Sequence, residues 1–559
     1  MKTKLFLLSI LMTVVFAACN SGGKTGLLIP ADAGMVMHID LNALSSKLSW
    51  DEIKKANWFA EAQKEAKDSL IKKLLTDPKE SGINTSSHIV IFAKTNTDGG
   101  GYAVVNTDVS DAKKLSETIT SIGKSEIKIE KDGEYNFVNI DNKAVVYFND
   151  KKLVSVTGSA NFNGMKNQGN SKEYPIDSLK QYAKTIFALK GKALLDSDER
   201  FVKLINDKSD IHYWANAGNM SNGLLTGMAA MMKLDVMLKD AITAASINFD
   251  NGKISLTSNQ YYGKEMTAFY KKYEGKTISD ETLQNLPSGD ALFALAAGFN
   301  PEGIKEFAKL IGVDGLLNMG LAKANISIDD FVKANKGQLF MALTQLSFGN
   351  EKKSVDLGNG EKYEYIDNRP DPKYIVGAQV ADKTAFEKMV GAIKSNLLGI
   401  DDADTSINKA INQELTDKWF AISNDKTLVD AVINSTNTSA PAYSNYLKGS
   451  NMGLYFNIEK IIDNTTKSSK DTAVSEAATL SKNFWRIAHL SGKLKSGVWS
   501  STGEITLADA NTNALKQLNK YIDDMVKIGI EENKRRKANN EFSSIPVVVD
   551  TATTTSIQP

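Results

Sequence analysis

The side chains with the widest chemical range are few in this chain: four histidines (His38, His88, His212 and His489) and one cysteine (Cys19). No two histidines lie within four residues of each other, and H-E-x-x-H is absent. A histidine metal site would therefore have to be assembled from separate elements. Without a thiol after Cys19, the chain can form neither an internal disulfide nor a Cys-ligated metal centre. No cofactor is expected. His38 and Asp40 share one face of a strand pattern and could be neighbours, and a structural histidine fits that position.

Serine nucleophiles are no better supported. There is no G-x-S-x-G elbow. Ser121-x-x-Lys124 and Ser423-x-x-Lys426 match S-x-x-K without a following S-D-N, and the only K-T-G begins at Lys24. Gly23-Lys24-Thr25 lacks the first glycine of a P-loop, because Ala18 stands there. Asp401, Asp402 and Asp404 group carboxylates but lack the glycine and final glutamate of a calcium loop. The expectation is a protein that is not an enzyme. A hydrolase with a dispersed site is the third reading, after a binding or scaffolding role and a carrier role.

Charge is balanced, with 67 Lys plus Arg against 66 Asp plus Glu, so no global field favours nucleic acid. Lys534 to Lys537 is a basic run at a helix end, which solvent and the helix dipole explain. After residue 18, no apolar run approaches the roughly 20 residues needed to cross a bilayer.

The patterning requires several elements. Met35, Met37, Ile39 and Leu41 alternate with Val36, His38 and Asp40, the period of a strand. Ser49 and Glu52 form a capping box for a helix. Further strands are expected near 88–94, 102–106, 144–148 and 153–157, and helices over 111–122, 196–205 and 223–242. The fold class is α+β: antiparallel sheet with packed helices, in two similar halves.

Four collinear matches suggest an internal duplication. Ile29-Pro30 pairs with Leu286-Pro287, Gly101–Asp108 with Gly377–Asp382, Asn149–Val154 with Asn424–Val429, and Asn251–Leu256 with Thr502–Leu507. The resulting division is 1–18 signal peptide, 19–26 tether, 27–273 first half, 281–526 second half, and 527–559 helix end and disordered tail.

One segment combines helical spacing with adaptable side chains. Leu224, Met228, Met231, Leu234 and Leu238 recur at helical spacing and Met232 widens the stripe, giving a surface suited to a hydrophobic ligand or a partner. The simpler reading is a helix covering a sheet.

The N-terminus carries an address. Two lysines precede an apolar stretch from Leu5 to Phe16, and Phe16-Ala17-Ala18-Cys19 follows. This resembles a bacterial lipoprotein signal with its lipobox, although Phe16 replaces the usual Leu. The resemblance implies lipidation at Cys19 and attachment to a membrane through acyl chains. The proline-led strand entry, the Phe148-Asn-Asp-Lys151 turn and the lipobox together resemble a Bacteroidota (Bacteroidetes) lipoprotein family known as a domain of unknown function. Asn20 to Lys24 lacks the acidic run that marks surface export in that group. The implied location is the outer membrane facing the periplasm, with surface display as the alternative. Expected partners are the membrane through lipidated Cys19, and an envelope protein or a hydrophobic ligand, but not nucleic acid. Four triplets such as Asp68-Ser-Leu70 resemble the O-glycosylation motif of the same group.

Overall fold

The computed structural model describes residues 26–65, 74–96, 100–122, 127–159, 174–189, 193–220, 232–348, 351–356, 362–367, 370–397, 411–437, 439–466 and 472–543. The strands in the first half are β1 (Met35–Asp40), β2 (His88–Thr95), β3 (Gly101–Asp108), β4 (Ile129–Asp132), β5 (Tyr135–Ile140), β6 (Ala144–Phe148), β7 (Lys152–Ser159), β8 (Ile211–Asn216), β9 (Ile242–Asp250) and β10 (Lys253–Tyr261). In the second they are β11 (Phe293–Gly298), β12 (Asn335–Phe348), β13 (Glu351–Asp356), β14 (Lys362–Asp367), β15 (Pro370–Val380), β16 (Asn412–Leu415), β17 (Trp419–Ser423), β18 (Met452–Asn457), β19 (Trp485–Lys495) and β20 (Val498–Leu507).

Eighteen of these strands form one antiparallel sheet, and β13 and β14 form a separate ribbon. Following the pairings from edge to edge gives β4-β5-β6-β7-β3-β2-β1-β8-β9-β10 and then β20-β19-β18-β11-β12-β15-β17-β16. The two halves meet where β10 pairs with β20, from Lys253 opposite Thr506 to Gln260 opposite Trp499. Counting outward from that seam, β9, β8, β1, β2, β3, β7 and β6 occupy the places of β19, β18, β11, β12, β15, β17 and β16. The fold is α+β with two halves of like strand order.

Two of the four sequence matches occupy equivalent places and two do not. Residues before β1 and β11, and the strands β3 and β15, correspond. Asn149-Asp-Lys turns β6 into β7, whereas Asn424-Asp-Lys follows β17 and opens helix Lys426–Ile433, with Asp425 as its cap. Both runs recur because Asx side chains satisfy backbone N–H groups at turns and helix starts alike. Asn251-Gly252 turns β9 into β10, but Thr502-Gly503 lies inside β20; the equivalent turn is Ser496-Gly497. Gly252 (φ 69°) and Gly497 (φ 80°) supply the left-handed backbone that tight hairpins need.

Helices cover the two flanks of one sheet face. On the first flank, Ile176–Phe187 and Glu199–Ile205 lie over Phe92, Tyr147 and Trp214, with Phe201 and Trp214 edge to face at 5.4 Å. On the second, Asp280–Gln284, Lys426–Ile433 and the 3-10 turn Ala442–Tyr446 lie over Phe340, Trp419 and Tyr455. The Trp419 indole donates to Glu281 Oε1 at 2.9 Å, satisfying its buried N–H. Between the flanks this face is polar. Ser246 bonds Thr257 at 2.8 Å, Ser491 bonds Thr502 at 3.1 Å, and Lys253 pairs with Glu504 at 2.5 Å.

Helix Ala514–Ser543 docks the end of the chain back on the first half. Trp58 Nε1 donates to Asn519 at 2.9 Å, and Lys516 reaches Glu52 at 2.7 Å. The expected 526/527 boundary thus falls inside a continuous 30-residue helix, and residues 544–559 lie outside the described residues. The capping box at Ser49 and Glu52 is present. The helix expected over 196–205 is broken at Asp198, which accepts from the N–H groups of Arg200 and Phe201 and so caps a fresh start.

Candidate functional site

The face opposite the covering helices carries one line of apolar side chains. Direct register neighbours run Val376, Met341, Leu295, Leu454, Leu490, Gly503, Leu256, Ile247, Ile211, Ile39, Ile89, from β15 across eleven strands to β2. At about 4.8 Å per strand this spans roughly 48 Å. Gly503 interrupts the side chains without opening a gap, because the Leu490 side chain leans to 3.2 Å from where a Cβ would stand.

Alternation explains the line. In β11, for example, Ala294 and Ala296 are buried on the covered side while Phe293, Leu295 and Ala297 are half-buried on the other. A sheet with one solvated face ordinarily places polar residues there. Here both phases of several strands are apolar. Met341, Met452, Phe456 and Leu490 each leave more than a third of their surface exposed, and Phe456 packs on Phe293 at 5.0 Å between ring centres. Toward the ends of β9 and β10 the same face is covered, since Phe249 and Ile254 pack with Phe484, Leu518 and Tyr521.

A second apolar surface lies on helix Asp314–Ala322, which has no buried residue and exposes Leu316, Leu317 and Met319. Its neighbour is the end of the Met-rich segment, where the Lys233 N–H donates to the carbonyl of Ile311 at 2.9 Å.

Of the residues singled out there by sequence, Leu224, Met228 and Met231 lie outside the described residues, as does Cys19. Met232, Leu234 and Leu238 are described and half-buried. The helix expected to reach Ile242 is corrected at its C-terminal end: among the described residues 232–242 only Asp235–Leu238 is helical, the chain turns at Asp240 (φ 57°), and Ile242 opens β9. The β-branched Ile242, Thr243 and Ile247 suit the strand, and that pairing overrides the helical period.

The histidines are not scattered. β1 lies between β2 and β8, so His38 stands directly opposite His212 and diagonal to His88. His38 Nδ1 is 3.0 Å from His212 Nδ1, and His38 Nε2 is 3.0 Å from His88 Nδ1. His212 Nε2 donates to Asp207 Oδ1 at 2.6 Å. All three rings are buried. Burial would raise the Asp207 carboxyl, but the hydrogen bonds from His212 and from the Ser209 N–H outweigh it and hold the group well below the usual carboxylate range. Alongside, Lys47 Nζ and the Phe249 N–H both reach Asp210 Oδ2, at 2.6 and 2.7 Å, and Asp210 is fully buried.

This row was missed in sequence because His88 and His212 are 50 and 174 residues from His38. A faint signal exists. Each histidine shares its strand face with a large core residue: Val36, Val90 and Trp214. Asp40, the neighbour expected for His38, instead caps helix Leu41–Lys47 through the Ala43 N–H. Among the described residues no group of three or more His, Cys, Asp or Glu side chains is placed to hold a metal ion, and each His38 nitrogen faces a different histidine. Of the S-x-x-K matches, Ser121 Oγ donates to the Glu117 carbonyl and Lys426 pairs with Asp430, while Lys124 lies outside the described residues. His489 stacks on Tyr446 at 4.6 Å, and burial lowers its basicity.

The class defined by this fold is an α+β protein of one wide antiparallel sheet, helix-covered on one face and apolar on the other. The chain belongs to the family described as a domain of unknown function, DUF4836, which spans residues 26–527. No curated protein matches. Solved structures with some likeness include crystal forms I, III and IV of TP0453, each 9% identical, covering 42%, 45% and 45% of this chain and 79%, 87% and 89% of theirs, with TM-scores of 0.22, 0.23 and 0.24. Likeness of that size fixes neither fold nor function. No helix among the described residues is long and apolar enough to cross a membrane.

Proposed function

We propose that this protein is a lipid-anchored cell-envelope protein of the Bacteroidota type, non-catalytic, that holds a hydrophobic molecule with acyl chains on the open face of its sheet. The observation that carries the reading is the apolar line from Val376 to Ile89. Its exposed part is the patch of Met341 and Leu490 with Met452 and Phe456 beside them, and exposed apolar patches on a protein mark contact with a ligand, a partner or a membrane. A line one side chain wide and roughly 48 Å long matches an extended chain molecule better than a round pocket ligand does. The Met-rich segment, of which Met232, Leu234 and Leu238 are half-buried, would supply further adaptable contacts. Cys19 would carry the anchor. Two or three acyl chains hold a protein stably at a bilayer, since each buried methylene contributes about 0.8 kcal/mol.

The test uses the body from Ser21 onward, exported behind a cleavable signal and lacking Cys19. Native mass spectra before and after solvent extraction should differ by a mass in the lipid range. A clean mass together with a protein that co-purifies stoichiometrically would replace the carrier reading with a scaffold reading. Separately, Cys19→Ser in the full chain should move the protein from the membrane to the soluble fraction; retention on the membrane would refute the anchor.

A further inference from the structure

The open face of the sheet is not apolar throughout. Beside the apolar line, one row nearer the Gln260 end of β10, direct register neighbours run Met452, Gly492, Ser501, Ser258, Ala245 and Tyr213, from β18 to β8. Ser258 stands opposite Ser501, and Gln260 stands opposite Trp499. Two residues from each half thus make a square on the β10–β20 seam. Strand alternation puts the square on the same face as Leu256 and Gly503, and all four of its residues are half-buried.

Hydrogen bonds set what the square offers. The Trp499 indole donates to Ser501 Oγ at 2.8 Å, and its ring lies over Gly492, where a Cβ would run into it. Ser501 accepts that bond and still has its own hydrogen to donate. Gln260 Oε1 accepts from the Thr243 hydroxyl, while its Nε2 gives one hydrogen to the Tyr261 carbonyl at 3.3 Å and keeps a second. None of these bonds engages the Ser258 hydroxyl. The square therefore presents chiefly donors, and a ligand oxygen that accepts hydrogen bonds suits it.

Charge is missing from the square. On β9, β10, β19 and β20, the residues Asp250, Lys253, Lys493, Lys495 and Glu504 have the opposite phase and lie on the other face. Arg486, in the irregular start of β19 at the far end of that strand, pairs with Glu459 at 3.5 Å. A carboxylate or phosphate laid on the square would lose its water with no cation there to offset it.

We propose that the molecule on the open face is a neutral acyl ester of the acylglycerol class, with its head group on this square. Its ester and hydroxyl oxygens bind Ser258, Ser501 and Gln260, and its glycerol packs against Trp499, whose ring suits a boundary between apolar and polar surface. Leu256, two residues from Ser258 on the same strand face, is where the acyl chain joins the apolar line. This inference rests on the ligand-face reading and adds the head-group chemistry to it.

The experiment uses the Cys19→Ser full chain and the neutral fluorescent probe N-phenyl-1-naphthylamine. Monolauroylglycerol and laurate, which share one acyl chain, compete for the probe near pH 8, well above the carboxylate range. The glyceride should displace it at a concentration about ten-fold below that of laurate. Ser258→Ala with Ser501→Ala should weaken the glyceride about ten-fold, as expected for two lost hydrogen bonds. The probe has no acceptor oxygen, so it should bind this variant as it binds the parent. Ser258→Lys supplies the missing cation and should turn the preference toward laurate. Laurate as effective as the glyceride in the parent, or an unchanged preference in both variants, would overturn the head-group assignment and leave the ligand face standing. A folded parent that binds neither the probe nor either lipid would overturn the ligand face, and this assignment with it.

Discussion

If the open sheet face holds a hydrophobic molecule, polar side chains at its most exposed point should weaken binding without unfolding the protein. Met341, Met452, Phe456 and Leu490 are 38, 39, 37 and 38% exposed. Fully burying a side chain of this size gains about 1.5–3 kcal/mol, so covering the remaining third gains roughly 0.6–1.1 kcal/mol at each position. Over four positions that is about 2–4.5 kcal/mol, or roughly two to three powers of ten in affinity. The double variant Met452→Gln, Leu490→Thr removes about half of this. It should weaken N-phenyl-1-naphthylamine binding roughly ten-fold, read by fluorescence titration. Folding stability should change little, because exposed substitutions usually cost within about 0.5 kcal/mol. Ser491→Ala, on the same strand but the polar face, is the control and should bind as the parent does. Binding within two-fold of the parent in the double variant, or equal weakening in Ser491→Ala, would refute the assignment of the ligand to this face.

Further outcomes concern stability. Lys47→Met strands the fully buried Asp210 carboxylate, whose Oδ1 has no partner among the described residues; the expected loss is about 3–5 kcal/mol in urea unfolding, and adding Asp210→Asn should restore part of it. A loss below about 1 kcal/mol would mean water reaches Asp210. Glu52 is pulled down to about 2 by its hydrogen bonds from Lys516 and the Ser49 backbone. Because its folded value is depressed, its contribution is present above the ordinary carboxylate range near 4.3 and is lost as pH falls toward 2. Glu52 is partly exposed, so Glu52→Gln should cost no more than about 1 kcal/mol at pH 7 and nothing near pH 2. Hydrogen exchange in helix Ala514–Ser543 would report it, and an equal effect at both pH values would contradict the ion-pair origin.

Parts of the molecule were legible because they are local. The alternation of β1, the capping box at Ser49 and Glu52, and the strands near 88, 101, 144 and 152 depend on neighbours a few residues away, where period and turn chemistry act. The Met-rich segment shows the limit of the same reasoning. Its helical period is real, yet Ile242 and Thr243 pair with Tyr261 and Gln260, and ladder bonds took the end of the predicted helix. Repeated Asn-Asp-Lys runs misled for a related reason: one side-chain chemistry serves a hairpin turn and a helix cap.

What the sequence alone determined is the scarcity of reactive groups, the absence of thiols after Cys19, the α+β class and the pairing of two similar halves. The burial phase of β1 was not determined there: Met35, Met37 and Ile39 read as its apolar face, whereas Val36 and His38 are the buried residues. Which strands lie side by side was decided only in three dimensions. Neighbours in a sheet are fixed by packing and ladder bonds between residues far apart in the chain, so the histidine row needed β1 placed between β2 and β8. The apolar line needed the β10–β20 seam, which joins two faces that neither half's sequence connects.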